Sequence, residues 1–204
     1  MLLIPRMQLT TLPPAILAVM LSACETEPVL LNSERIEQRF GSYGITVLPS
    51  EAGLRRSSLF SMHENEAICR TYAVVRFAGQ PHDDYSEEHA EVLAGNSIGA
   101  IFRSNGWDIH KQTMYIGSFF LPDRRTPIGE LMHIAGQDEL ALHVYQLLLV
   151  RNEQVFEYAT IVETHHPEYL SESDVLELYE YDESTALSPQ VVSDLVNLVL
   201  GDDR

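Results

Sequence analysis

Hydrophobic and polar positions alternate with a period of two along four long stretches of the chain. These are Leu54 to Met62, Ala67 to Ala78, Leu140 to Val150 and Gln154 to Thr164, and they read as β-strands. Gly44 to Leu48 adds a short strand, and Trp107 to Phe120 is β-rich. Two polar turns, Glu64-Asn65-Glu66 and Arg151-Asn152-Glu153, are short enough to make antiparallel hairpins of the strands they join.

Helical periods fill the gaps. Ser33 is placed to cap a helix through Phe40, closed by Gly41. Ser86, with Glu87 and Glu88 in the first turn, opens a longer helix expected to run without interruption to Ser104. Thr126 to Ala135 is read as a short Pro-initiated helix, with an edge strand as the alternative. Two helices follow the last of these strands, the second capped by Ser188, begun by Pro189 and closed by Gly201. Strands in two groups with helices between and after them predict an α+β fold: a single domain, mainly antiparallel, of about five to six strands with helices packed on one face.

The first 24 residues break this pattern. Arg6 supplies one positive charge, Leu9 to Met20 form an uncharged apolar run, and Leu21-Ser22-Ala23 places small residues before Cys24. Pro13-Pro14 and a run of about a dozen residues argue against a spanning helix, which needs about 20. Leu21 to Cys24 resembles the lipobox of bacterial lipoproteins. That resemblance implies cleavage before Cys24, acylation of its thiol and new amino group, and a periplasm-facing protein anchored in the cell envelope. Glu25 after the lipidated Cys, where enteric inner-membrane lipoproteins carry Asp, tilts the expectation toward the outer membrane. The expected organisation is a signal peptide at 1–23, a short tether at 24–32 and one α+β domain at 33–204.

Composition narrows the function. Of 204 residues, 30 are acidic and 13 are Lys or Arg, giving a formal charge of −17. Phosphate backbones repel such a chain, so nucleic-acid binding is excluded as an expectation. The charge is polarised: residues 24 to 125 carry −4 and residues 126 to 204 carry −14. Glu172, Asp174, Glu177, Glu180, Asp182 and Glu183 concentrate it in one stretch, a solvated helix face or a docking surface for a basic envelope protein. Arg35, Arg39, Arg55, Arg56, Arg124 and Arg125 are candidates for an opposing basic face.

Three groups carry candidate chemistry. Gly95-Asn96-Ser97-Ile98-Gly99 matches the G-x-S-x-G pattern of a nucleophile, but the charged, helical segment before it is not the strand that the motif requires. Ser97 is therefore expected as a helix residue, with a catalytic role as the rival reading, its base being His143, His165 or His166. His165 and His166, flanked by Glu163 and Glu168, are the densest candidate metal ligands, although adjacent strand residues face opposite ways. His82-Asp83-Asp84 with His89 lacks the spacing of a calcium loop. Cys69, which alternates with Thr71, Ala73 and Val75, is expected as a small buried hydrophobe. No cofactor is called for. The balance favours a non-catalytic binding or assembly module of the envelope over a small tethered hydrolase.

Overall fold

The computed structural model describes residues 30–182 and 187–201. The signal peptide, Cys24, most of the tether and Glu183 lie outside them. The order is α1 (Asn32–Phe40), β1 (Gly44–Leu48), β2 (Leu54–His63), β3 (Glu66–Phe77), α2 (Ser86–Leu93), α3 (Ile98–Ser104), β4 (Asp108–Phe120), α4 (Pro127–Met132), β5 (Glu139–Arg151), β6 (Gln154–His165), α5 (Glu172–Leu178) and α6 (Pro189–Leu200). The strands form one antiparallel six-stranded sheet in the order β1-β2-β3-β6-β5-β4. The α+β class, the strands and the short helix after Thr126 agree with the hydrophobic pattern.

The helices divide between the two faces, where one covered face was expected. On one face, Tyr72, Val74, Leu142, Val144 and Val162 pack against Ile128 and Met132 of α4 and Leu195, Leu198 and Val199 of α6. On the other, Val75, Tyr145, Leu147 and Ile161 meet Val92, Ile98 and Phe102 of α2 and α3, while Ala73 and Ala141 meet Ile36 of α1 and Val175 of α5. The reason is visible in β5, where every residue from Leu140 to Leu149 is buried. Both sides of a strand so apolar must be covered.

Three β-bulges set which side chain faces where. Arg70 is the extra residue between the pairs Leu59↔Thr71 and Phe60↔Cys69. A bulge shifts the alternation by one, so Cys69 packs with Tyr72 and Val74 rather than with Thr71 and Ala73. It is buried there, and burial pushes its thiol up to about 12, which suits the expected inert role. Met114 and Tyr158 are the extra residues in β4 and β6.

The long helix expected from Ser86 to Ser104 is two helices. Gly95 takes φ +110°, its N–H donates to the carbonyl of Val92, and Ser97 becomes the extended residue before α3. Helical backbone cannot continue through such a dihedral. Gly99 serves a different end: a Cβ there would come within 2.8 Å of Leu31 Cδ2, so its lack of side chain lets α3 approach the start of α1.

Candidate functional site

The sheet face beneath α1, α3 and α5 carries a polar band in an otherwise apolar interior. Register fixes its members. Ser57 pairs across to Ala73, Ala73 to Glu163 and Glu163 to His143; one row on, Thr71 pairs with His165. Lys111 reaches in from β4, and its Nζ donates to Glu163 Oε2 at 3.2 Å and to the Tyr179 hydroxyl at 3.3 Å. It lies 4.2 Å from the Tyr145 ring centroid and 4.8 Å from that of Tyr179, so the chain's one lysine sits in an aromatic cage.

The charge states follow from burial and pairing. Burial pushes the Glu163 carboxyl up, but Lys111 beside it, with His165 and His143 adding to the effect, more than reverses this and holds it down to about 2. Burial, with Lys111 adding to it, lowers His143 to about 2, and burial lowers His165 to about 4. Both imidazoles are therefore neutral at pH 7. Thr113 Oγ1 lies 3.2 Å from His143 Nε2, and Thr71 Oγ1 lies 3.0 Å from His165 Nδ1. The remaining nitrogens, His143 Nδ1 and His165 Nε2, are buried without a hydrogen-bond partner.

One ligand atom each from His143, Glu163 and His165 lies within 4.8 Å of the others, so among the described residues these three could hold a metal ion. Of the four ligand candidates in the sequence, the fold brings together only Glu163 and His165. β6 ends at His165; His166 turns to the opposite side, its Nε2 3.1 Å from the Met132 carbonyl oxygen. Glu168 is exposed and pairs with Arg70 at 3.1 Å. His143, which completes the set, reads in sequence as an isolated core histidine. Lys111 weighs against a dication: Glu163 is the only carboxylate of the set, and it already serves the ammonium.

A cavity of about 90 Å³ opens beside this band, between the sheet and the first turns of α1 and α3. Most of its wall is apolar, including Leu59, Val75, Ile98, Ile109, Leu147 and Ile161. Lys111, Glu163 and Tyr145 line one part of it, and Arg55, Ser57 and Ser97 another. Arg55 is 5% exposed; Nη2 donates to the Asn96 carbonyl at 2.9 Å, while Nε has no partner. Burial lowers its pKa, an effect tempered by Tyr158 and Tyr43. The Tyr43 hydroxyl sits beside Ser97 and Arg55, close enough for both to temper the rise that burial imposes on its pKa, yet it makes no hydrogen bond of acceptable geometry.

Its neighbour Arg56 is a useful contrast. It points to the other face, where Nη1 donates to the Tyr72 hydroxyl and the Leu198 carbonyl. The arginines of β2 thus lie back to back in the interior rather than on a common basic surface.

Ser97 lines the cavity from a turn between two helices. The histidines weighed as its base make their contacts elsewhere: His143 with Thr113, His165 with Thr71 and His166 with Met132. Neither the strand-to-helix turn of the G-x-S-x-G motif nor a serine–histidine pair is assembled. Of the His82-Asp83-Asp84 group, His82 stays at the surface with Nδ1 3.2 Å from Asp84 Oδ2, while His89 turns inward to the Tyr158 hydroxyl at 3.0 Å. Among the described residues no helix is long and apolar enough to cross a membrane.

No protein-family model matches the chain, and no curated protein matches it. Among solved structures it is similar to a transcriptional regulator of the GntR family from Enterococcus faecalis, at 8% identity and a TM-score of 0.34, over 69% of this chain and 96% of that one. At that identity and score the likeness bears on neither fold nor activity.

Proposed function

We propose that this protein is a lipid-anchored module of the bacterial cell envelope, periplasm-facing, that binds a small ligand without transforming it. The observation that carries the binding half is the cavity beside the Lys111–Glu163 pair: apolar walls with a few polar groups aimed inward are the ordinary make-up of a ligand site. Among the described residues no base is in hydrogen-bond contact with Ser97, the one motif-based nucleophile. The anchored half rests on the Leu21 to Cys24 motif.

Native mass spectrometry of the full chain extracted from its own membranes checks the first half. The wild type is expected to carry a small adduct, and Ala73→Leu, which fills the cavity from its floor, to lack it. An adduct-free wild type would sink the reading. For the anchor, Cys24→Ala is expected to accumulate as a precursor that no longer incorporates labelled palmitate; labelling equal to wild type would refute it.

The acidic C-terminal half is a second binding surface under this proposal, suited to a basic envelope protein. Glu177 and Glu180 are exposed there, beside the exposed apolar side chains Leu176 and Leu178. Changing Glu172, Glu177, Glu180 and Glu183 to Gln is expected to weaken partner capture and flatten its salt dependence, because attraction between exposed charges is screened over about 8 Å at physiological ionic strength. Pull-downs at low and high salt decide it, and equal capture by both proteins at both salts rules the surface out.

A further inference from the structure

Among the described residues, Arg55 is a buried cation that folding leaves poorly compensated. A guanidinium removed from water is costly unless an anion or a full set of acceptors replaces its hydration. Among the described residues no carboxylate forms an ion pair with it, and its one hydrogen bond goes to a neutral carbonyl. Glu163 is no substitute. It lies two strands away, across β3, at a spacing of roughly 10 Å, and it is engaged by Lys111. Glu34, next in the chain to the lining residue Ser33, is likewise engaged, by Arg103 at 3.0 Å.

The charged groups that line the cavity are Arg55, Lys111 and Glu163, which leave one positive charge over. This is notable in a chain whose formal charge is −17. The spare charge sits where other donors gather. Ser97 lines the same part of the wall, and the Tyr43 hydroxyl stands beside both. The rest of the wall is aliphatic.

Resting on the ligand-binding reading above, we infer that the cavity between the sheet and helices α1 and α3 is a site for a small organic monoanion. A carboxylate head would be held by Arg55, Tyr43 and Ser97, and a short apolar body would lie along Val75, Ile98, Ile109 and Ile161. A monoanion makes the lined charges neutral in sum. A dianion such as phosphate would overshoot and leave the aliphatic wall unfilled, and a cation would add to the surplus. The volume suits a body of a few carbon atoms: an engineered apolar cavity of about 150 Å³ takes benzene, and this one is smaller at about 90 Å³.

The experiment is a ligand-observed NMR and calorimetric titration of the full chain, purified from membranes and freed of adduct by dialysis, with butyrate, butyramide, n-butylammonium and inorganic phosphate as probes. Butyrate is expected to bind, butyramide to bind about tenfold more weakly or worse because the charge-assisted hydrogen bonds are lost, and the other two not to compete. Arg55→Gln is expected to bring butyrate down to the level of butyramide, and Arg55→Lys to keep part of the preference. The comparison of probes on the wild type needs no variant and so survives one that fails to fold. Equal binding of butyrate and butyramide overturns this inference while leaving a neutral-ligand cavity intact. Phosphate binding in preference to butyrate, or Arg55→Gln binding butyrate like the wild type, also overturns it. No binding of any probe, together with an adduct-free wild type, removes the ligand-binding reading as well.

Discussion

As the pH falls from about 6.5 toward 5 the domain is expected to lose stability, by on the order of 1 kcal/mol per pH unit for each of the two protons taken up on unfolding. The groups are His143 and His165, held at about 2 and about 4 by burial. Their folded pKa values lie below the unfolded value, so in this range the unfolded chain binds protons that the folded chain refuses. The contribution is complete above about pH 6.5 and shrinks as acid is added. Glu163, held at about 2, extends the loss below about pH 4.5, since its carboxylate is protonated more readily in the unfolded chain. Lys111 acts at the other end: its pKa is raised well above the usual range, so its contribution is present in neutral solution and is lost only in strong alkali. With total stabilities of about 5–15 kcal/mol for domains of this kind, unfolding should set in near pH 4 to 5. Urea melts followed by circular dichroism from pH 7.5 to 4.5 test this, and His143→Asn should halve the slope. Stability that is flat from pH 7 to 5 would mean that the two imidazoles take up protons in the native protein as readily as in the unfolded chain.

The second large effect comes from the Lys111–Glu163 pair. Removing either partner alone, as Lys111→Met or Glu163→Gln, is expected to cost about 3–5 kcal/mol, because the survivor is left charged and desolvated in the interior. The double substitution should cost far less than the sum, since it removes both charges together. Lys111→Met keeps the aliphatic stem between the Tyr145 and Tyr179 rings, so its loss reports mainly the charge. Chemical denaturation of the four proteins of the cycle gives the coupling. Additive costs, within about 0.5 kcal/mol, would show that Glu163 is held by something other than this ammonium.

Alternation and turn chemistry made the six strands and the end of the last helix readable from residue types. Register was not readable, and the polar band depends on it. Counted back from the turn at Arg151-Asn152-Glu153, with Arg151 opposite Gln154, His143 would stand opposite Val162 and away from Glu163. The extra residue Tyr158 shifts the pairing by one and sets His143 opposite Glu163. The bulge at Arg70 moved Cys69 to the other face for the same reason, and neither has a local sequence signature. Pairing of β3 with β6 is longer in range still: it joins Thr71 to His165 and Ala73 to Glu163, residues some ninety positions apart. The break at Gly95 did leave a trace, a glycine followed by Asn and Ser, the latter an ordinary N-cap residue. The helical period on both sides masked it. Lys111 carried a signal of another kind, being the chain's one lysine, but only its distance from Glu163 shows its role.

The start of α1 forms part of the cavity wall through Leu31, Asn32 and Ser33, and Leu31 lies seven steps along the chain from Cys24. Fully extended, that stretch reaches roughly 25 Å. On a chain acylated at Cys24, the mouth of the cavity is thereby kept within a leaflet's depth of the bilayer surface. A ligand with an apolar body partitions into that interface and accumulates there by about 0.8 kcal/mol for each CH₂ it buries. Occupancy in the envelope is then governed by the local, two-dimensional supply of ligand rather than by its concentration in the periplasm. A weak affinity measured in solution would suffice, and cutting the anchor would starve the site without altering a single contact inside it.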